Sequence, residues 1–358
     1  GKMYLSRRLD ERQLILLKQG LGFFHIGASG HEAVQVAASK LINTKTDFSY
    51  PYYRDQAYCI GLGMSSKDIL LSFLAKQDDP NSGGRQMPQH FSHLDLNIVS
   101  QSSPTGTQYL QAVGASFVLQ RESKNSLVYV SSGEGTTSQG DFHEALNWAS
   151  REKAPVIFHI QNNHYAISVP IEDQISGKSV YNITAGYDSL GRYDVDGCNF
   201  FETYQAFKLA SERARKGKGP SVIVSDVVRL LPHSSSDDHL KYKTKKEIDD
   251  DIKRDPILSF KNSCIKAKII KESDFEKIDA KIINQINSDA EWAEKEDSPK
   301  ASSYKDNLFS KITGVEEITS SQIQEIESSK VVMKWWGGLV RMISCKCKGI
   351  PNRLRSLK

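Results

Sequence analysis

Three short apolar runs stand out along the chain: SLVYVSS at 126–132, PVIFHIQ at 155–161 and PSVIVSDVV at 220–228. Each is too short for a helix and is bounded by turn-forming residues, so each predicts a buried strand. Between and around them, apolar residues recur at helical spacing. Residues 4–24 place Leu9, Leu14, Leu16 and Leu17 among charges and predict an amphipathic helix ending near Gly20. GHEAVQVAASKLI (30–42) predicts a second helix. SSKDILLSFLAK (65–76) predicts a third, with Ser65 or Ser66 as its N-cap. QYLQAVGASFVLQ, GDFHEALNWASRE and FFETYQAFKLASERARKG predict three more. In the second of these, Phe142, Ala145, Leu146 and Ala149 share one face; the third ends at Gly217. From about residue 240 the chain is rich in Lys and Glu and reads as helical. There Ser273 and Glu276 form a capping box for a helix reaching about residue 293.

Apolar strands alternating with helices imply an α/β fold, a doubly wound and mainly parallel sheet with helices on both faces and a helical C-terminal extension. The expected organisation is an α/β domain over 1–240, its helical extension over 241–330, and a basic tail over 331–358. Residues 78–107 break the pattern. They are too rich in Gly, Pro and Ser for regular structure, and a long loop inside a compact domain is a place to look for function.

Composition narrows the function. The net charge is +4, but residues 334–358 carry seven Lys or Arg and no acid, which leaves −3 for the rest. A mildly acidic body indicates no nucleic-acid-binding domain. No run of 18 apolar residues suggests a membrane helix. The five cysteines are scattered and odd in number, which suits a reducing cytoplasm better than a disulfide framework. Cys345 and Cys347 supply too few ligands for a metal site.

The candidate chemistry lies at two strand ends. SSGEGTTSQG follows the first strand, and QNN ends the second; 26 residues separate Gly135 from Asn162. In a doubly wound sheet, ligands sit beyond the carboxyl ends of the strands. If the two strands are neighbours, Glu134 and Asn163 converge. A carboxylate beside an amide oxygen suits a hard cation such as Mg²⁺, which takes its remaining oxygens from phosphates. Glycines 133 and 135 let the backbone approach a bulky anion. HSSSDDH holds Ser, His and Asp together, yet triad members converge from separate elements rather than from one loop.

G-[DE]-G followed at this spacing by NN resembles the thiamine diphosphate motif, and the resemblance widens along the chain. YPYYRDQA, GGRQMPQHF, SQSSPTGTQYLQAVGA, GEGTTSQGDFHEALNWAS, NNHYAISVP and RLLPHSSSDDH occur in order. Together they resemble the alpha subunit of the thiamine-diphosphate-dependent 2-oxo acid dehydrogenases. The similarity is nearest the branched-chain (2-oxoisovalerate) type and the alpha half of fused alpha/beta chains. It runs over roughly residues 3–330.

The resemblance implies metal ligands at Glu134, Asn163 and the backbone carbonyl of Tyr165. It places diphosphate contacts at Tyr53 and Arg54, with Gly133, Gly135 and Thr136 lining the phosphates and Gln161 helping to hold them. Ser103 and Thr105 would meet the aminopyrimidine side. Ser102, Thr107 and Gln108 match a monovalent-cation (K⁺) site. His233 matches an active-site histidine on a mobile loop, either moving protons or holding the diphosphate, with an imidazole able to titrate near neutral pH. Ser234 matches a position phosphorylated in some mitochondrial relatives.

The implied reaction is oxidative decarboxylation of a 2-oxo acid, with acyl transfer to a lipoyl group on an acyltransferase. The implied assembly pairs two alpha with two beta subunits, and the beta subunit supplies the glutamate that activates the cofactor. Pyruvate or acetoin as substrate, and a non-catalytic remnant of a disrupted fused gene, are the alternatives. No beta-type half is recognisable, and the tail after SSKVVM reads as out of the ancestral frame. The chain also opens later than family members usually do, which raises the expectation of a missing N-terminal segment. His164 stands where the family usually has Gly, a position whose backbone conformation is costly for other residues.

Overall fold

The computed structural model describes residues 1–122, 125–306, 332–335 and 338–341. Residues Gly1–Ala301 form one compact unit and Ser302–Lys358 a second. The α-helices described between residues 245 and 295 therefore belong to the unit that holds the sheet. In the second unit, the strands Val332–Trp335 and Gly338–Arg341 pair antiparallel. The other expectations for 307–330 and for the tail lie outside the described residues.

The sheet has five strands: β1 (Phe48–Tyr50), β2 (Val128–Gly133), β3 (Val156–Asn162), β4 (Gly191–Asp196) and β5 (Ser221–Asp226). Their order is β1-β2-β3-β5-β4, and every pairing is parallel. The period of two along each strand sorts the side chains into two cores. Val128, Val130, Val156, Phe158, Val222 and Val224 face one side, with α5 (Gln108–Glu122) and α6 (Gly140–Glu152) packed over them. Leu127, Tyr129, Ile157 and Ile223 face the other. There they meet α1 (Lys2–Lys18), α2 (Glu32–Ser39), α3 (Gln56–Leu62), α4 (Ser66–Phe73), α7 (Phe200–Arg215) and α10 (Glu272–Lys295). Two further helices, α8 (Lys245–Lys253) and α9 (Pro256–Lys266), precede α10. This is the expected α/β architecture with both faces covered.

The three apolar runs are the three central strands. The pattern missed β1, which has only three residues, and β4, an edge strand whose sequence GRYDVD is mostly polar and only partly buried. Ser65, not Ser66, caps α4: its hydroxyl accepts from Asp68 N at 3.2 Å, and Ser65 N donates back to the Asp68 carboxylate at 2.8 Å. The start of α10 needs correcting. Its N-cap is Lys271, whose N–H donates to Asp274 at 3.2 Å, so the helix begins before the Ser273–Glu276 pair. Within 78–107 the only regular element is a short 3₁₀ turn, Leu94–Leu96. No helix among the described residues is long and apolar enough to cross a membrane.

Candidate functional site

Parallel pairing of β2 with β3 sets Gly133 opposite Gln161, so the segments leaving these strands emerge side by side. After β2 the chain makes a 3₁₀ turn, Glu134–Ser138. After β3 it turns through Asn163 and His164 into a small hairpin, in which Tyr165–Ala166 pairs with Val169–Pro170. His164 has φ +68°, and its carbonyl accepts from Ile171 N at 3.0 Å, closing the hairpin's base. The backbone conformation expected at this position is thus present. Histidine tolerates it while its ring Nε2 lies 2.6 Å from Asp226 Oδ1.

Glu134 and Asn163 meet as expected. Glu134 is 1% exposed, and its Oε2 accepts from Asn163 N at 3.1 Å. Its Oε1 is buried with no hydrogen-bond partner. Burial raises the carboxyl's pKa, outweighing the backbone N–H groups of Glu134 and Asn163 and the nearby His164 and Arg229, which favour the ionised form. Asn163 Oδ1 accepts from Tyr165 N at 3.3 Å, which turns the amide oxygen towards the hairpin that carries Tyr165.

A cleft of about 290 Å³ opens above this pair. Tyr53, Arg54, Thr105, Gly133, Gly135 and Thr136 line it, together with Glu134, Asn163, Tyr165 and His233. Gly135 has a steric reason to be glycine: a Cβ there would lie 2.8 Å from Ala166 Cβ, on the hairpin. Arg54 is 1% exposed; its Nη1 donates to Gly27 O at 2.6 Å, and its Nε has no partner.

His233 enters from the loop after β5. Its backbone N–H donates to Asp237 at 2.8 Å, and its Nδ1 lies 3.4 Å from Arg54 Nη2. Burial, with Arg54 and Arg229 nearby, pushes the imidazole down to about 4. This corrects the expectation of titration near neutral pH: in this cleft the ring is neutral, because burial and two guanidiniums oppose its protonation.

Five expected residues sit apart from the cleft wall. Ser103 is exposed, with its Oγ 2.6 Å from His90 Nε2. Gln161 points beneath the cleft floor, where its amide bonds His31, Gln35 and Asp55. Thr107 donates to Pro104 O at 3.2 Å. Gln108 has both ends engaged, accepting from Gly106 N at 3.0 Å and donating to Ser131 O at 3.1 Å. Ser102 is half-buried beside them.

Arg229 is the residue the sequence reading missed. It is 1% exposed, and its Nη2 donates to Ile167 O at 3.0 Å and to Tyr242 Oη at 2.7 Å. Its Nε and Nη1 are buried without partners. Burial, then the charge of Arg54, lowers its pKa. A lone arginine inside the apolar run VVRLLP was the signal, since a charge in such a run needs a partner.

The chemistry of this donor set is anion and cation capture together. Two buried guanidiniums with unpaired N–H groups suit a phosphate-bearing ligand. An unpaired buried carboxylate oxygen beside an amide oxygen suits a hard divalent cation.

Comparison with known proteins identifies the family. The sequence profile described as "Dehydrogenase E1 component" matches residues 1–302. The chain is 41% identical over 295 residues to the 2-oxoisovalerate dehydrogenase subunit alpha of Bacillus subtilis (strain 168), covering 81% of this chain and 89% of that one. It is 35% identical over 263 residues to the pyruvate dehydrogenase E1 component subunit alpha of Staphylococcus aureus (strain Mu50), covering 73% of this chain and 67% of the relative. The match takes in the whole sheet, both loops that meet at Glu134 and the loop that carries His233, and the chain belongs to the dehydrogenase E1 component family.

Proposed function

We propose that the chain is the alpha subunit of the decarboxylating component of a 2-oxo acid dehydrogenase, acting on a branched-chain 2-oxo acid with thiamine diphosphate and Mg²⁺. The observation that carries the reading is the unpartnered, buried Oε1 of Glu134, beside Asn163, in a cleft that Arg54 also lines, with the buried Arg229 bonded to Ile167 of the cleft wall. A metal–diphosphate group answers both deficits at once. The substrate assignment leans on the 2-oxoisovalerate relative, whose identity exceeds that of the pyruvate relatives.

In this reading Glu134, the Asn163 amide oxygen and the Tyr165 carbonyl hold the cation. Arg54 and Arg229 grip the diphosphate, with Gly133, Gly135 and Thr136 beneath it. Thiamine diphosphate, when bound, supplies the carbanion and the electron sink for decarboxylation. The neutral His233 keeps one ring nitrogen as an acceptor towards Arg54, so its other nitrogen carries a proton for a phosphate oxygen or a reacting oxygen. Ser103 and Thr105 flank the aminopyrimidine end. Ser102, Thr107 and Gln108 hold a monovalent cation behind them. A beta subunit supplies the activating glutamate, and a lipoyl-bearing acyltransferase takes the acyl group.

The test is decarboxylation of 3-methyl-2-oxobutanoate by the purified chain with thiamine diphosphate and Mg²⁺, with and without a beta subunit from the same source. Turnover only with beta is the expected result. Faster turnover of pyruvate would reassign the substrate. Absence of both turnover and cofactor binding would leave a non-catalytic remnant of the fold.

A further inference from the structure

Asp55 follows the cleft residues Tyr53 and Arg54 and occupies the N-cap position of α3, yet it makes no side-chain cap bond there. An aspartate at an N-cap ordinarily accepts from the helix's first free N–H groups. Here the carboxylate turns the other way, into the sheet, and is fully buried. Its Oδ1 accepts from Gln161 Nε2 at 2.6 Å, and its Oδ2 accepts from Ser131 Oγ and from Tyr52 N, the latter at 3.3 Å. Ser131 belongs to β2 and Gln161 to β3, the two strands whose ends carry Glu134 and Asn163.

Gln161 extends the tie. Its Oε1 lies 2.7 Å from His31 Nδ1 and accepts from Gln35 Nε2 at 2.9 Å. The same Gln35 amide donates to the backbone carbonyl of Arg54 at 2.9 Å. The turn carrying Tyr53 and Arg54 is therefore fastened on both sides of the arginine: through Tyr52 N and the Asp55 carboxylate, and through the Arg54 carbonyl.

From these bonds the geometry points to Asp55 as a positioning residue for anion binding: with Gln161 it sets the Arg54 turn in register with the strand ends that carry Glu134 and Asn163. The inference rests on the reading of the cleft as a diphosphate site. Asp55 touches no ligand; its effect is carried by where it holds Arg54. Ordering partners behind a first layer of ligands commonly changes affinity 10- to 100-fold.

The bond pattern supplies a test by exchange of donor and acceptor. In Asp55→Asn, whichever way the new amide turns, its NH₂ meets an N–H, either of Gln161 or of Tyr52. Adding Gln161→Glu resolves the conflict. The introduced carboxylate accepts from the introduced amide at position 55, while its other oxygen still accepts from His31 and Gln35, and the net charge is restored.

Calorimetric titration of the full chain with thiamine diphosphate, and separately with inorganic pyrophosphate, both in Mg²⁺, reads the affinities; thermal unfolding reads stability. The expected result is that Asp55→Asn weakens both ligands about tenfold or more. The double variant should recover most of that loss, and Gln161→Glu alone should not bind better than the native chain. Native-like binding by Asp55→Asn would overturn the inference while leaving the diphosphate reading intact. So would a double variant that regains its melting temperature but not its affinity. A native chain that binds neither ligand would overturn the reading of the cleft, and this inference with it.

Discussion

Asn163 donates its backbone N–H to one oxygen of Glu134 at 3.1 Å and leaves the other oxygen of that carboxylate buried and unpaired. In the proposed site the pair supplies half of a coordination sphere. Its cost without metal follows from the raised pKa of Glu134. A carboxyl that binds its proton more tightly when folded stabilises the fold below its unfolded pKa of about 4.3, and that contribution is lost as the pH rises. At neutral pH the buried carboxyl is therefore a net cost to the fold of the metal-free chain. Glu134→Gln should raise the melting temperature of the metal-free chain at pH 7, by about 2 °C or more. The same change should weaken Mn²⁺ binding, followed by its paramagnetic signal, by more than about 100-fold, beyond the usual outer-shell range. Unchanged Mn²⁺ affinity would remove Glu134 from the site.

His233, His31 and His159 all have lowered pKa values, with burial as the largest cause in each. His233 is held at about 4 and His159 at about 3. For a histidine depressed in the folded state, stability is present above the unfolded pKa of about 6.5 and is lost as the pH falls from there towards the folded value. Denaturant midpoints should therefore drop between about pH 6.5 and 4. His233→Asn should remove part of that slope. Adding magnesium pyrophosphate should raise the His233 pKa, seen as a shifted imidazole titration by NMR, because the anion offsets Arg54 and Arg229. A titration unmoved by the anion would place His233 away from it.

Arg229 should matter more to the ligand than to the fold. Two of its nitrogens are buried without partners, and Arg54 repels it. Arg229→Met should leave the ligand-free melting temperature within a few degrees of the native value. It should also reduce the stabilisation produced by magnesium pyrophosphate, consistent with losing charge-assisted hydrogen bonds worth about 1.5–3 kcal/mol. An equal thermal shift in both proteins would show that the anion binds elsewhere.

His164 tests the backbone rather than the charge. Its contact with Asp226 is about half exposed, at 46% and 40% for the two side chains, and pairs of that kind contribute about 1 kcal/mol or less. His164→Gly should therefore change unfolding free energy by no more than about 1 kcal/mol, since relief at φ +68° offsets the lost contact. His164→Val should cost about 1–3 kcal/mol, because a β-branched side chain is strained there. Chemical denaturation of the two variants distinguishes them, and equal losses would contradict the backbone account.

The central strands were legible because they are continuous apolar runs buried on both faces, a pattern few other elements produce. The edge strand Gly191–Asp196 was not, because only Val195 in it is buried and its alternation of Asp and Tyr reads as loop. The pairing of Glu134 with Asn163 followed from two strand ends and one topological assumption, which the register of β2 with β3 satisfies. Gln161 illustrates the limit. The family resemblance assigned it to the phosphates, but strand residues alternate between faces, and its buried partners Asp55, Gln35 and His31 come from segments more than 100 positions away. Arg229 escaped for a similar reason: its partners Ile167 and Tyr242 lie on two other loops.

Arg54 and Arg229 fasten the walls of the cleft through loop carbonyls, at Gly27, His233 and Ile167. Carbonyls give a cation direction but no neutralising charge. If the cleft takes a diphosphate as proposed, the anion is expected to add stability by offsetting the two arginines, and the chain's lifetime in a cell to follow how much of that anion is on hand. Where unfolding exposes a chain to proteases, a modest gain in stability changes abundance several-fold. Scarcity of the ligand is then expected to thin the protein population before it slows any surviving molecule, and proteolysis rates measured with and without magnesium pyrophosphate would register the difference.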